Sequence, residues 1–565
     1  MNNLTYMTDK SLTNKGTIII TLTDNGTPLT VESGISVLGA AQQYDIDIVA
    51  ICGGRGRCRS CRVKLVAGSA PEPGIADRTQ LSEDEIREGY RLACQCYPLS
   101  NARYSIAPPT NETSFQILSE PGDWPDLLSS IELTGENETP FGIAFDIGTT
   151  TVVGYLINLE TGKTLACVSG INPQTVFGGD LISRIAFAAQ KTANVKKLHR
   201  RLATFINDLS ERASVQAGIS RTDICKVVVV GNTCMHHLFL GIDPTPLGRA
   251  PYSPVIEETY QCSARECGLR LHEKARVCML PIIAGFIGAD TVGMILSSKL
   301  GSRSGNFIAA DIGTNAEVVL KTDQGLIACS SPAGPALEGG QIRDGMRAAL
   351  GAIDKVTANH DIKIHTIGDE PALGICGSGL VDAIAVLLDL GIINKMGRLL
   401  LQPKQPLPDA IAARLRNGED DTPEFVLARA TESGNHLDIV LNQGDIRQLQ
   451  LAKAAIRSGV EALLQQANLE SSDIDAFLLA GGFGNYINVR NARRVGLIPD
   501  LAIDRIHYIA NAAGLGAQMV LLSDQSRAEA ENIALQTQHL SLAGYPGFQK
   551  MYLGAMGFPT GIREY

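Results

Sequence analysis

Short runs in which apolar and polar residues alternate fill the first hundred positions. Residues 17–23 and 29–32 read as two strands joined by Asp24-Asn25-Gly26, a strong hairpin signal between β-rich runs. The period then lengthens, predicting a helix over 37–44. A strand at 63–67, a short acidic helix at 81–88 and a strand at 90–96 follow.

Two strands, a helix and further strands is the element order of a β-grasp fold. Periodicity fades over 108–140, where Pro108, Pro109, Pro121, Pro125, Pro140 and the only Trp, Trp124, predict a linker. Apolar strands resume at 142–155, interrupted by Asp146-Ile-Gly148-Thr149-Thr150, and the same strand–turn–strand design returns at 307–320 around Asp311-Ile-Gly313-Thr314-Asn315. Two copies predict two homologous lobes. A third apolar strand, 476–480, runs into Gly481-Gly482-Phe483-Gly484.

Composition narrows the function. With 49 Lys and Arg against 59 Asp and Glu, the net charge of −10 provides no field to gather phosphate backbones, so nucleic acid is not an expected partner. The most membrane-like segment, 279–296, contains Pro281 and Asp290 and is expected to be buried core, with no membrane association. The first fifteen residues lack the apolar core of a secretion signal. Five of the thirteen cysteines fall between Cys52 and Cys96 and the rest are scattered, which suits a reduced cytoplasm and one metal site.

That site is Cys52-Gly-Gly-Arg-Gly-Arg-Cys58-Arg-Ser-Cys61, with a fourth thiolate from the late strand, Cys94 or Cys96, since residues i and i+2 share a strand face. Four thiolates complete two tetrahedral irons, and Gly53, Gly54 and Gly56 let a loop wrap them. Zinc sites usually pair two Cys-x-x-Cys units, and here only Cys58 and Cys61 are so spaced. Arg55, Arg57, Arg59 and Arg62 either dock an acidic partner or raise the reduction potential, or else pair with the acidic helix at Glu83, Asp84 and Glu85.

In the larger body, each Asp-x-Gly-Thr turn combines close backbone approach, hydroxyl donors and a carboxylate able to hold Mg2+ through water. Facing copies would clamp one triphosphate. A glycine turn after a buried strand admits an adenosine. His236 and His237 are expected to be core or capping residues, and Cys376 to serve a helix start.

Residues 17–107 resemble ferredoxins of the adrenodoxin-like spacing class, in which the fourth ligand follows an Arg-Leu-Ala stretch; Arg91-Leu92-Ala93-Cys94 matches it, so the resemblance implies Cys52, Cys58, Cys61 and Cys94 as ligands of a 2Fe-2S cluster. The order of the two hairpins and the glycine turn resembles the actin, sugar kinase and Hsp70-like (ASKHA) ATPases.

Further stretches extend the likeness to nearly the whole chain: Asn172-Pro173-Gln174, Gly231-Asn232-Thr233, Ala333-Gly334-Pro335, Gly377-Ser378-Gly379 and Asp445 to Arg457. Together with the ferredoxin they resemble the reductive activators of corrinoid proteins. In the run beginning Ala510-Asn511, Ala510 stands where that pattern has glycine.

The resemblance implies a multidomain α+β and α/β protein: a β-grasp ferredoxin at 17–107, a linker at 108–140, a first ATPase lobe or middle domain at 141–225 and a C-terminal ATPase-like domain at 226–565, the body being two-lobed and RNase H-like. It implies an ATP-hydrolysing enzyme that passes one electron from its cluster to a corrinoid protein, returning Co(II) to Co(I). Asp146 and Asp311 would be catalytic; Gly148, Thr149, Thr150, Gly313, Thr314 and Asn315 would hold the phosphates, and Gly481, Gly482 and Gly484 the adenosine of ATP with Mg2+. An upstream low-potential electron donor is implied, and a homodimer is left open. Two alternatives stand beside this reading: a ferredoxin-type carrier on a non-hydrolysing scaffold, and an ASKHA-type kinase.

Overall fold

The computed structural model describes residues 17–22, 26, 28–44, 46–50, 54–56, 60–69, 71–106, 133, 139–418, 421–484 and 487–560. Cys52, Cys58, Gly53, Arg57 and Arg59, the residues Asp24-Asn25 of the first turn, and Trp124 with the linker apart from positions 133, 139 and 140 lie outside them.

The chain forms two compact units, the first built from the N-terminal residues and the second from the body. In the first, β1 (Thr17–Leu22), β2 (Pro28–Glu32), α1 (Val37–Gln43), β3 (Arg62–Ala67), α2 (Ile75–Gln80), α3 (Glu83–Arg87), β4 (Tyr90–Leu92) and β5 (Ala102–Ile106) follow in order. The sheet order is β2-β1-β5-β3-β4, with β1 and β5 parallel and every other pair antiparallel: a β-grasp. Alternation along β1 buries Ile18, Ile20 and Leu22.

The strand expected over 90–96 ends at Leu92. The N–H groups of Gln95 and Cys96 both bond back to the Leu92 carbonyl, turning the chain out of the sheet.

The body opens with β6 (Phe141–Ile147), β7 (Thr151–Asn158), β8 (Thr164–Ile171), α4 (Leu181–Gln190), α5 (Thr192–Ala217), β9 (Ile224–Gly231), α6 (Thr233–Leu240), β10 (Tyr260–Ser263), β11 (Arg276–Met279) and α7 (Ala289–Ser297). Its sheet runs β10-β11-β9-β6-β7-β8. The division expected between residues 225 and 226 falls inside β9, which pairs in parallel with β6, so this lobe continues through β11.

The second lobe repeats the plan. It is built on β12 (Phe307–Ile312), β13 (Ala316–Thr322) and β14 (Gly325–Ser331), followed by β15 (Ala352–Ala358), β16 (Ile362–Thr366), β17 (Gly374–Ile375), α8 (Gly377–Asp389), α9 (Asp409–Ala412), β18 (Leu415–Asn417), β19 (Pro423–Ala428), β20 (Ile439–Asn442) and α10 (Gln443–Gln466). It closes with β21 (Ala476–Ala480), α11 (Gly481–Gly484), α12 (Val489–Val495), β22 (Ile506–Tyr508), α13 (Ala512–Leu522), α14 (Asp524–Gln536), β23 (Thr537–His539) and α15 (Phe548–Ala555).

The sheet order β22-β21-β12-β13-β14-β23 shares with the first lobe an antiparallel meander continued on one side by two parallel strands, and differs in its outer strands, β23 parallel to β14 here and β10 antiparallel to β11 there. One core takes Ala144 and Val228 from the first sheet, Ala309 and Leu478 from the second, and α7 and α13. The alternate residues Ile308 and Ala310 face a separate core with α8 and α10.

Segment 279–296 is buried core, as its proline and charge predicted. Among the described residues no helix is long and apolar enough to cross a membrane.

Candidate functional site

In the β-grasp unit, Cys61 enters β3 and Cys94 sits in the turn after β4, both nearly fully buried. Gly54 and Gly56 take φ of +80° and +68°, as a loop wrapping a cluster requires. A Cβ on Gly54 would lie 3.7 Å from Cys94 Cβ, and Gln95 Nε2 donates to the Gly54 carbonyl at 3.1 Å, so this loop packs directly on Cys94.

Cys96 points elsewhere, into the core. Because the strand has ended, it does not share a face with Cys94; its Sγ lies 3.4 Å from the Tyr104 hydroxyl in the core, and burial pushes its thiol up to about 11. Buried cysteines Cys61 and Cys94 against a positive-φ glycine loop fit an iron–sulfur cluster. Of the four arginines, Arg62 pairs with Glu85 at 2.6 Å, which takes it out of any exposed docking patch.

In the body, strand register builds the second site. Asp146 and Asp311 are the penultimate residues of β6 and β12, and each strand is followed by a tight turn: the Gly148 N–H bonds to Thr151 O at 2.9 Å and the Gly313 N–H to Asn315 O at 3.0 Å. The parallel neighbour of each strand delivers a second loop. Ile147 sits opposite Gly231, which places Asn232 Nδ2 3.0 Å from Thr149 Oγ1 and leaves the Thr149 hydroxyl proton free to donate.

Asp311 sits opposite Ala480, so Gly481 lies directly against its carboxylate; Gly481 takes φ +83°, and a Cβ there would collide with Asp311 Oδ1. Gly482 is exposed beside it, and Gly484 closes the single turn α11.

Support for the first hairpin comes from below. Asn172 Nδ2 donates to Gly148 O at 2.9 Å, and the fully buried Arg184 donates to the carbonyl of Thr149. Burial pushes the Arg184 guanidinium down to about 10. Glu338 accepts from Thr150 Oγ1 at 2.9 Å and from Thr314 Oγ1 at 2.5 Å, touching both hairpins at once.

Four carboxylates converge here. Burial, reinforced by the facing Asp311, pushes Asp146 up to about 7; burial and then Asp290 do the same to Asp311, and burial and then Asp146 to Asp290. Glu317 on β13 is driven well above the usual carboxylate range by burial and by Asp290 and Asp311. Asn511, capping α13, donates to Asp146 Oδ2 at 3.0 Å. Among the described residues no three of these side chains stand close enough to ligate one metal ion directly, so a hard cation here would be reached through water. Hydroxyl donors and glycine turns beside them fit a polyphosphate.

Sequence patterns located the hairpins but not Asp290, Glu338, Arg184 or Asn511 as site residues. Asp290 carried a signal of its own: one acid in an otherwise apolar segment. His236 is buried, and His237 bonds to the Thr233 carbonyl and to the Val255 N–H, as core residues do.

A β-grasp domain with buried cysteines, joined to a body whose two lobes present facing Asp-x-Gly-Thr hairpins, defines an iron–sulfur protein fused to an ASKHA-type ATPase body. Residues 22–99 match the model of the 2Fe-2S iron-sulfur cluster binding domain, 141–303 the RACo middle region, and 306–565 the C-terminal domain of RACo, the ASKHA domain. The corrinoid activation enzyme RamQ of Eubacterium limosum is 37% identical over 424 residues, 74% of this chain and 71% of that protein.

The Co(II) methylated amine-specific corrinoid protein reductase of Methanosarcina barkeri is 26% identical over 456 residues, 74% of this chain and 77% of that one. A solved reductive activator for corrinoid, iron-sulfur protein superimposes with a TM-score of 0.68 at 30% identity, covering 96% of this chain and 98% of that one. The chain belongs to the family of reductive activators of corrinoid proteins.

Proposed function

We propose that this protein is an ATP-dependent reductive activase that passes one electron to a corrinoid protein whose cobalt has fallen from Co(I) to Co(II). The observation that carries the reading is the covalent union, in one chain of this family, of a β-grasp unit with buried cysteines and a body in which carboxylates and hydroxyls of two hairpins meet. The cluster, when bound, supplies a one-electron couple, which for plant-type centres lies near about −400 mV. Cys52, Cys58, Cys61 and Cys94 hold it.

Asp146 and Asp311 would hold Mg2+, which when bound would offset the charge of the phosphates, with Asp290 and Glu317 setting the charge around them. Gly148, Thr149, Thr150, Gly313, Thr314 and Asn315 receive the phosphates of ATP, and Gly481, Gly482 and Gly484 the adenosine. Nucleotide drives the transfer only by binding one conformation better than another, since equal affinity shifts nothing. The protein works in a reduced cytoplasm and draws on an upstream low-potential donor; a homodimer is compatible with this scheme.

The test is anaerobic. The reduced protein is mixed with a Co(II) corrinoid protein and the visible spectrum is followed for Co(I), with and without Mg-ATP. Co(I) that depends on ATP is expected. Equal Co(I) without ATP would reduce the protein to an electron carrier, and no Co(I) under either condition would remove the corrinoid acceptor.

A further inference from the structure

We propose that Glu338 is an internal surrogate for the terminal phosphate, held in the place that a triphosphate must take from it and that a diphosphate does not reach; this rests on the nucleotide site proposed above. Glu338 ends the 3-10 turn Pro335–Glu338 that follows β14. Its two oxygens take one hydroxyl from each lobe, Thr150 Oγ1 on Oε2 and Thr314 Oγ1 on Oε1. Oε1 also lies 3.9 Å from where a Cβ on Gly313 would be, so the carboxylate rests against the hairpin.

A planar anion offering two oxygens to two hydroxyls copies two equatorial oxygens of a phosphoryl group. The charges of Arg184, from the first lobe, and Arg347, from the second, act on the same carboxylate. Glu338 thus brings together the donors and cations that a phosphate would recruit.

Adenosine is assigned to the second lobe, at Gly481. The phosphate that reaches Thr150 on the first lobe is therefore the one farthest from it. That phosphate meets a like charge and two occupied hydroxyls, and it enters only by displacing Glu338, which frees both hydroxyls and leaves the arginines to the newcomer. A diphosphate stops short of the clasp and leaves it closed. Exchange of one anion for another at the seam between lobes converts the presence of the third phosphate into a change in how the hairpins are joined.

The experiment is calorimetric titration of the full-length holoprotein with Mg2+ and either a non-hydrolysable ATP analogue or ADP, for wild type, Glu338→Gln and Glu338→Ala, with thermal unfolding of each followed alongside. Both variants are expected to bind the triphosphate about fivefold or more tightly than wild type, a typical size for a coupling between sites, with ADP affinity unchanged. Wild type that binds neither nucleotide would sink the nucleotide-site reading itself. Wild type that binds the triphosphate while a folded variant gains no affinity for it, or gains equally for ADP, overturns the surrogate role alone.

Independently, the geometry points to Cys262 and Cys267 as a reversible dithiol. Their Sγ atoms are 3.1 Å apart, buried together where edge strand β10 enters a turn closed by the Gly268 N–H on Arg265 O. A disulfide needs the sulfurs only about 1 Å closer. A small diazene oxidant accepts two electrons and both thiol protons, becoming a hydrazine as the S–S bond forms.

After anaerobic treatment of the full chain with diamide and alkylation, unreduced tryptic digestion cuts at Arg265. Peptides 250–265 and 266–270, each with one of the two cysteines, are expected to travel as one linked species that reductant separates. Recovery of both only as alkylated single peptides overturns the assignment.

Discussion

Asn511 reaches across the body to Asp146: its Nδ2 donates to Oδ2 at 3.0 Å while its Oδ1 accepts the Gly514 N–H at 2.8 Å and caps α13. One side chain orients a carboxylate of the first lobe and starts a helix that follows the second. Asn511→Ala loses both bonds and should cost about 1–2 kcal/mol together with nucleotide affinity. Asn511→Asp keeps the cap but sets an anion against Asp146, so it should retain most of the thermal stability and still lose affinity. Equal nucleotide affinity in wild type and Asn511→Asp would show that the contact with Asp146 has no bearing on the site.

Ala510 occupies the left-handed region at φ +49°, and its carbonyl accepts the Gly481 N–H at 3.1 Å. That conformation costs an alanine roughly 1–2 kcal/mol, part of which glycine returns as chain entropy. Ala510→Gly is therefore expected to raise stability by about 0.5–1 kcal/mol, read as a higher melting temperature with unchanged nucleotide affinity. A lower melting temperature would contradict the strain.

Gly481 is constrained twice, by its positive φ and by the Asp311 carboxylate in its side-chain direction. Gly481→Ala should destabilise by about 1–3 kcal/mol and weaken Mg-nucleotide binding more than it weakens folding, because the displaced group is Asp311. Titration calorimetry and thermal unfolding of the same variant separate the two effects.

Asp146, Asp290 and Asp311 are each pushed up to about 7 from an ordinary 3.8. Folded protein therefore binds more protons than unfolded chain between about pH 4 and pH 7, and without metal its stability falls as pH rises through that window. Magnesium competes with those protons. Melting temperatures in chelator should decline from about pH 5 to about pH 7, and the increment given by Mg2+ should be larger above pH 7 than below it. An increment independent of pH would place Mg2+ away from these carboxylates.

The cysteines of the late turn divide sharply. Cys94→Ser is expected to lose the visible absorption of the cluster, whereas Cys96→Ser, which replaces a core thiol against Tyr104, should keep it at some loss of stability. Absorption lost in Cys96→Ser and kept in Cys94→Ser would reverse the ligand assignment.

What could be read from the sequence was local. Asp146-x-Gly148 and Asp311-x-Gly313 carry their chemistry within five residues and were visible as a repeat. Glu338 and Asn511 gain meaning only when strand register and helix packing bring them to hairpins far away in the chain, and no short pattern encodes that. The strand expected over 90–96 shows the converse: i and i+2 spacing holds only while the strand lasts, and two backbone bonds to Leu92 end it before Cys94. Ala510 was legible as a departure from pattern because a left-handed position favours glycine for a steric reason.

Helix α13 bears on the order in which the molecule can be made. Its residues complete the core beneath β6 and β9, Gln518 bonds to Thr164 at 3.2 Å, and Leu521 fills the space over Gly142. A nascent chain emerging from the ribosome therefore exposes one apolar face of its first ATPase sheet until Ala512–Leu522 has been translated. A fragment ending at residue 303 should expose the same surface and associate with itself, and supplying residues 306–565 in trans should rescue it.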